Sequence, residues 1–521
     1  MKWKILPKKS NDLVEQLLIN RGIKDKSKFF DSKISDFEKE IKIPGIEKSQ
    51  KRILKAIENN ELIIVYGDYD VDGITSCTIL YKGLTSLGAK VLPYIPHREK
   101  EGYGMSKLGL DYARDCGANL VITVDNGIVA IEQTKYAKEL GLDLIITDHH
   151  VPMEVLPDAY AIVHSTKMCG AGVAWCLIQS MISKSLREEL LQFVGVGTVC
   201  DLIPLKDLGR AFLVEGLKQL KKTSNLGFLS LANECKMNIS DVSTYEIGYM
   251  IGPRLNAMGR LEHAIDSLRL LCTKDVSKAK KLAQLLCDTN SERQEMTTTA
   301  IEEAKLLVVE ENNIHVLYSK DWSAGIIGLI AGKVTETYFR PSIAISVGEK
   351  ISKGSARSIN GINIVELIRK HLDILIDVGG HPGAAGFSIE TTKIEILKKR
   401  LEKEVIEVPE EKVLEIDAEI EKKDLSKKLV LELAKFEPFG FGNPKPVLAT
   451  KKMILSDIRT VGNGKHLKFK ADGIDAIAFS MGELESQLKN GQQIDIAFNL
   501  EIDNYNNSEK LQLKVKDIKI T

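Results

Sequence analysis

LIIVYGDYDVDGITS, residues 62–76, decides the reading of this chain. Leu62 to Tyr66 are apolar, β-prone residues that make a short strand. Gly67 breaks it, Asp68, Asp70 and Asp72 crowd into the loop that follows, and a helical stretch runs on to about Leu87. The pattern then returns. Lys90 to Ile95 is a second strand. NLVITV (119–124) is a third, followed by DNG and a helix to about Leu140. DLIIT (143–147) is a fourth, followed by Asp148-His149-His150. Apolar strands alternating with amphipathic helices mean βαβ units and a buried parallel sheet, hence an α/β fold. Ligands of such sheets collect beyond the carboxyl ends of the strands, where these polar clusters fall.

Outward from that stretch, composition sets limits. The chain has 521 residues, 44% hydrophobic and 28% charged, which excludes wholesale disorder and predicts about three domains. Lys+Arg and Asp+Glu are both 72, so a globally basic nucleic-acid coat is excluded and any polyanion must meet a local patch. Eight cysteines include no C-x-x-C pair and none beyond Cys287, which argues against a disulfide frame and a cysteine zinc site. Reduced thiols in the cytoplasm are expected. MKWKILPKKS lacks a signal-peptide core, and no run approaches the roughly 18 apolar residues that span a bilayer, so no membrane partner is expected.

Residues 1–45 read as a charged, mostly helical lead-in, and 46–272 as the main α/β domain, helical from about 170. The run 275–312 has no Gly or Pro, so 273–312 is read as a connecting helix. Residues 313–405 resume the alternation with IHVLYS and SIAIS and end in GGHPGAAGFS, a second, smaller α/β domain. From 410 to 521, alternating segments such as HLKFKA and QIDIAFNLEI predict five or six antiparallel strands with one helix near 424–436. Turns fall at Gly462-Asn463-Gly464 and at Asn504 to Asn507. An OB-like β-barrel is the leading candidate.

Three carboxylates at the spacing of Asp68, Asp70 and Asp72 repel unless a cation or proton lies among them. Alone, the loop is equally a solvated acidic turn capping the next helix. Asp125, the Asp148-His149-His150 run and Asp201 (in VCDLIPL) join it, because parallel topology brings strand ends to one edge. Carboxylate with imidazole suits Mn²⁺ or Mg²⁺. One bridging carboxylate would allow two ions about 3.5–4 Å apart, able to activate water at a phosphoryl centre. In KGSARS (353–358) and GGH (379–381), glycines let backbone N–H groups approach phosphate, and Arg357 adds a guanidinium fork. The plain alternatives are turns, an Arg357 surface pair and a buried structural His381. GYGM (102–105), after His97-Arg98, either contacts nucleic acid or packs. Lys465, His466, Lys468 and Lys470 lie along one barrel strand, the last three on one face, either as a phosphate-binding groove or as a solvated strand.

GDYDVDG, VDNG, DHH and VCDLIPL, in this order, resemble the four motifs of the DHH phosphoesterase superfamily, and GGHPGAAGFS resembles the signature of the DHH-associated domain. GPRLNAMGR (252–260) and PFGFGNPKP (438–446) resemble its branch of bacterial single-stranded-DNA-specific exonucleases. The resemblance implies metal-ligand roles for Asp70, Asp72, Asp125, His149 and Asp201, with Asp125 shared between two ions. Asp68 matches a further acidic residue of the site, and His150 a donor close to the scissile phosphate. Arg254, Asn256, Ser355, Arg357, Gly379, Gly380 and His381 would hold a 5′-terminal phosphate. Tyr66 departs from the pattern: several branches carry a ligating His there.

The implied activity is 5′-3′ exonucleolysis of single-stranded DNA, releasing mononucleotides by two-metal hydrolysis, in DNA repair and recombination. A narrow cleft between two lobes would exclude duplex. No GxxxxGK[ST] occurs, so no ATP is expected. The resemblance implies single-stranded DNA with a 5′ phosphate, a helicase and a single-strand-binding protein as partners of a monomer. Two rivals are a small-nucleotide or oligonucleotide phosphoesterase of the same superfamily and a non-catalytic replisome scaffold. The barrel argues against the first, because small substrates need no such groove. The retained acidic and histidine set argues against the second.

Overall fold

The computed structural model describes residues 1–404, 406–503 and 509–520. They form two compact units. One comprises Glu38–Asp201 and Glu215–Glu410; the other comprises Met1–Phe37, Leu202–Val214 and the chain from Glu411 on.

The chain opens with strand β1 (Lys2–Ile5), which belongs to the second unit. The first unit is built on β2 (Leu62–Tyr66), β3 (Lys90–Tyr94), β4 (Ala118–Val124), β5 (Asp143–Asp148) and β6 (Ala161–His164). All pair in parallel, in the order β3-β2-β4-β5-β6. Ile63, Ile64, Val65, Val121, Ile122 and Ile145 are wholly buried, as a sheet covered on both faces requires. β2, β4 and β5 are neighbours, so the DYD, DNG and DHH loops leave one edge of the sheet side by side. β6 has four residues with alternate burial, too short to stand out in the sequence.

Helices occupy most of 170–272, and Val276–Leu307 is one helix of 32 residues. It stops short of 312: Val308 is extended, and Leu306 is largely in solvent, so no apolar contact prolongs the last turn. The sheet beyond it contains β7 (His315–Ser319), β8 (Ser342–Ser346), β9 (Ile351–Arg357), β10 (Leu375–His381) and β11 (Ala384–Glu390). Only β7 and β8 are parallel; the order is β10-β11-β9-β8-β7. GGHPGAAGFS is therefore a hairpin turning at Pro382-Gly383, with Gly379, Gly380 and His381 on an edge strand.

In the second unit β12 (Val413–Ile416) pairs with β1, and β13 (Ala418–Glu419) pairs with β14 (Leu448–Val461). The barrel runs β14, β15 (His466–Ala471), β16 (Ile474–Ala478), β18 (Lys510–Ile520), β17 (Gln493–Asp503) and back to β14. Closure with one parallel pair, β16 with β18, is the OB topology. Leu467, Phe469 and Ala471 point inward from β15, alternating with His466, Lys468 and Lys470 outside. Leu17, Leu18 and Phe29 of the N-terminal segment fill this core. Arg210 locks the segment in place by donating to Phe29 O at 2.7 Å and Phe436 O at 3.1 Å. The turn expected at Asn504 to Asn507 lies outside the described residues. No helix among the described residues is long and apolar enough to cross a membrane.

Candidate metal centre and phosphate site

The loop after β2 carries both roles its sequence suggested. Asp70 caps the helix Val71–Ser86, its Oδ1 accepting from Gly73 N at 3.0 Å. Asp68 is buried beside it. Asp72, also buried, accepts from Gly170 N at 2.5 Å and Ala171 N at 2.9 Å, the first amides of the helix Gly170–Ile178. A helix N-terminus favours negative charge, so this helix start fixes the Asp72 carboxylate.

Asp125 follows β4 with φ +63°, a left-handed conformation uncommon outside glycine and typical of functional turns. Its N–H donates to Thr147 O at 3.0 Å. His149 follows β5, and its Nε2 stands 3.1 Å from Asp125 Oδ1, 3.5 Å from Asp201 Oδ2 and 3.7 Å from Asp72 Oδ2. Asp201 sits at the end of the helix Lys184–Cys200. Three overlapping groups have ligand atoms within 4.8 Å of one another: Asp125-His149-His150, Asp72-His149-Asp201 and Asp68-Asp70-Asp125. Asp68 Oδ1, Asp125 Oδ1 and His149 Nε2 are buried without a hydrogen-bond partner. Buried acceptors left without donors fit a cation.

Electrostatics agree. Burial, then repulsion from neighbouring carboxylates, pushes Asp68 and Asp125 well above the usual carboxylate range. Burial raises Asp72 against the pull of His149, and burial with Asp72 and Asp70 raises Asp201 to about 9. Burial lowers His149 despite Asp72, leaving the neutral imidazole that ligates metals. These groups therefore need protons or cations to coexist.

His150 is different. Its Nδ1 is 2.8 Å from Asp148 Oδ1. Burial opposes its charge, but the Asp148 hydrogen bond and charge outweigh it, and its pKa is raised. Asp148 also accepts from His149 N at 2.7 Å and Ile128 N at 2.9 Å. The Tyr103 hydroxyl donates to Asp125 O at 2.9 Å and lies within 3.2 Å of the His150 ring. The sequence motifs give neither Asp148 nor Tyr103 a role of its own. The first could have had one, as the leading residue of DHH; the second carries only the ambiguous GYGM signal. Tyr66 faces away, accepting from Ser106 N at 3.0 Å and packing on Tyr94, so it does not stand in for the missing His.

Arg357 Nη1 donates to Ser355 Oγ at 3.1 Å and Ala356 O at 2.8 Å. Burial, then Arg98, Arg293 and Arg357, lowers Arg260 to about 10. Burial, then Arg98, lowers Arg357. Arg98 stacks on Tyr69 at 5.0 Å. Among the described residues none of Arg98, Arg260 and Arg357 has an ion-pair partner, so the Arg357 surface pair considered above does not form. Clustered, desolvated guanidinium groups without carboxylates make a site for phosphate. Arg254 Nη1 donates to Met250 O at 2.8 Å and Nε to Cys287 Sγ at 3.2 Å, and Arg260 Nη1 donates to Gly325 O at 2.9 Å. Asn256 is half-buried on the helix that carries Arg260. Gly379, Gly380 and His381 are exposed, so His381 is not a buried structural residue. β11 separates them from β9, and both His381 and Arg357 pair with Ala384. On the barrel, His466 meets exposed Phe479 at 5.2 Å, and Lys470 pairs with Asp457 at 3.4 Å.

A parallel sheet whose strand ends gather carboxylates and imidazoles, an accessory sheet that carries Arg357, and an OB barrel define a DHH-type, metal-dependent phosphoesterase. Family models agree: the DHH family N-terminal domain matches 62–198, the DHHA1 domain 311–407 and the RecJ OB domain 416–517. The single-stranded-DNA-specific exonuclease RecJ of Bacillus subtilis is 35% identical over 536 residues, covering 98% of this chain and 68% of the relative. That of Haemophilus influenzae is 31% identical, with 90% of each covered. The crystal structure of RecJ from Thermus thermophilus in complex with Mn²⁺ superposes with a TM-score of 0.88 at 27% identity, covering 100% of this chain and 80% of that one. The chain belongs to the RecJ exonuclease family.

Proposed function

We propose that this chain is a single-stranded-DNA-specific exonuclease that removes mononucleotides from the 5′ end. The observation that carries the proposal is the meeting, in one unit, of two charge clusters that lack counter-charges. Buried carboxylates and His149 converge with orphaned acceptors, and Arg98, Arg260 and Arg357 converge without carboxylate partners. Asp70, Asp72, Asp125, His149 and Asp201 would hold Mn²⁺ or Mg²⁺, with Asp125 shared and Asp68 completing the side that lacks a histidine. Bound there, the ions supply Lewis acidity, a nucleophile at neutral pH and charge stabilisation at the leaving oxygen.

The protein's own groups do the rest. Arg260, Arg98 and Arg357, with Ser355 and the amides of Gly379 and Gly380, bind the 5′ phosphate and so set the first linkage against the cluster. His150, whose hold on a proton the Asp148 carboxylate strengthens, is placed to donate to the scissile phosphate. Tyr103 buttresses both His150 and the Asp125 turn. Lys468, Lys470, His466 and Phe479 offer a cationic, partly aromatic barrel face suited to a single strand. Action in DNA repair and recombination follows from the family. With no ATP motif in the sequence, a helicase and a single-strand-binding protein are the partners we propose. A monomer in the cytoplasm is the assembly we propose, and eight free thiols support that compartment.

The test is a single strand labelled at either end, with and without a 5′ phosphate, in Mn²⁺, Mg²⁺ and chelator. Mononucleotides released from the 5′ end, faster with phosphate and abolished by chelator, are expected. Equal activity on a dinucleotide and a long strand would favour a small-nucleotide phosphoesterase instead.

A further inference from the structure

One continuous helix runs from Thr244 to Leu261, α-helical at both ends with a π turn at Ile247–Ile251. A capping box of Ser243 and Glu246 fixes its start. Along it, residues 245, 249, 253, 256 and 260 are the ones that reach solvent on one face. Steps of four, four, three and four make a single stripe. The stripe is graded: Tyr245, Tyr249, Pro253, Asn256 and Arg260.

Tyr245 is 61% exposed and Tyr249 69%. Their rings lie 4.9 Å apart at 32°, a paired aromatic surface turned to water. The flank of the helix beside this stripe is pressed against the catalytic cluster at two points. A Cβ on Gly252 would meet Cys200 Sγ, next to Asp201, at 2.7 Å. One on Gly259 would meet Tyr69 O, between Asp68 and Asp70, at 2.6 Å. The helix thus lies along the cluster, with Arg260 and its guanidinium neighbours at one end and the tyrosines beyond the other. Tyr249 and Arg260 are eleven residues apart, roughly 16 Å of helix and a few nucleotides of single strand. π turns are frequent at functional sites, and this one sits under Tyr249.

We infer that Tyr245 and Tyr249 form a stacking platform for nucleobases on the 3′ side of the scissile bond. The occupant is the single strand itself, and the inference rests on the exonuclease reading above. A strand anchored by its 5′ phosphate at Arg260 passes the acidic cluster and then reaches the tyrosines. Base faces are free in a single strand and hidden in a duplex, so the platform adds to single-strand selectivity without reading sequence.

The test compares wild type with Tyr245→Ala/Tyr249→Ala and Tyr249→Trp. Substrates are a 5′-phosphorylated dinucleotide, a strand of about twelve nucleotides, and the same strand made abasic beyond its first nucleotides, a length within the usual single-strand site size. The double alanine variant is expected to raise KM on the long strand roughly tenfold, the effect of losing base stacking, with dinucleotide turnover unchanged. Wild type should show the same rise on the abasic strand, and the double variant no further rise. Tyr249→Trp should keep the long-strand KM, and its indole fluorescence should be quenched in chelator by the normal strand but not by the abasic one. Equal losses on dinucleotide and long strand, no loss on either, or quenching by both strands would overturn the platform. Absence of wild-type turnover on every strand would sink the exonuclease reading instead, while the fluorescence arm still decides the platform.

Discussion

One methyl group tests the metal centre. Gly170 opens the helix whose amides hold Asp72, and it also backs onto Asp125. A Cβ at Gly170 would stand 2.7 Å from Asp125 Cβ, 2.8 Å from its Oδ1 and 2.9 Å from its Cγ. Carbon contacts settle near 3.5–4.0 Å, so in Gly170→Ala the Asp125 side chain must retreat by about 1 Å. Its backbone cannot follow freely, because Thr147 O holds its N–H at 3.0 Å and Tyr103 holds its carbonyl at 2.9 Å. Asp125 belongs to two of the three possible ligand groups, so both sides of the centre feel the shift. Ligand distances tolerate only about 0.2 Å. We expect Mn²⁺ affinity to fall at least as far as for a lost supporting contact, about 10- to 100-fold. Overpacking adds about 1–3 kcal/mol of destabilisation. Alanine is the better helix former, so a weakened helix would not explain the metal effect. The assays are calorimetric Mn²⁺ titration, turnover against Mn²⁺ concentration, and melting in chelator. Wild-type Mn²⁺ affinity together with wild-type turnover at limiting Mn²⁺ would refute the placement of Asp125 at the centre.

Asp148→Asn removes the charge that raises the His150 pKa and turns an N–H donor toward either His150 or Ile128 N. Turnover should fall about 10- to 100-fold, and the alkaline limb of the kcat profile should move to lower pH; an unmoved limb would remove His150 from proton donation. Without metal, stability should depend on pH through Asp68, Asp72, Asp125 and Asp201, whose folded pKa values are raised, to about 9 for Asp201. Below the ordinary aspartate pKa of about 3.9 both states are protonated and the contribution is complete; it is lost as pH rises toward 9, because the unfolded chain ionises first. Melting temperature in chelator should therefore drop from about pH 5 to about pH 9, and Mn²⁺ should restore more at the alkaline end; a flat profile in chelator would contradict the buried cluster. Arg260→Lys replaces a fork by a point charge and should erase the preference for a 5′ phosphate more than it lowers turnover on an unphosphorylated strand. Competition between the two strands measures it, and an unchanged preference would take Arg260 out of the phosphate site.

Legibility varied with the distance over which a residue's role is set. GDYDVDG, VDNG and DHH stood out because each follows an apolar strand, and parallel pairing of β2, β4 and β5 then puts them together. The connecting helix and the barrel were readable from the same local periodicities, although the end of Val276–Leu307 was not, since its last turns lack an apolar contact to mark them. Arg260 and Arg254 share one motif six residues apart and look alike in sequence. Only packing sends Arg254 to Cys287 and Arg260 toward Arg357. Tyr103 likewise has no local signature; it becomes a site residue because its loop folds back over Asp125 and His150.

Alternation of apolar strands with helices and of inward with outward residues is a local property, and the sequence alone settled α/β architecture, barrel and the strand-end acidic residues. Partnership is not local. Which arginine meets a thiol, which histidine has its pKa lowered and which raised, and where the first 37 residues go were decided by tertiary structure. The physical reason is that desolvation and charge–charge coupling depend on neighbours hundreds of residues away in the chain.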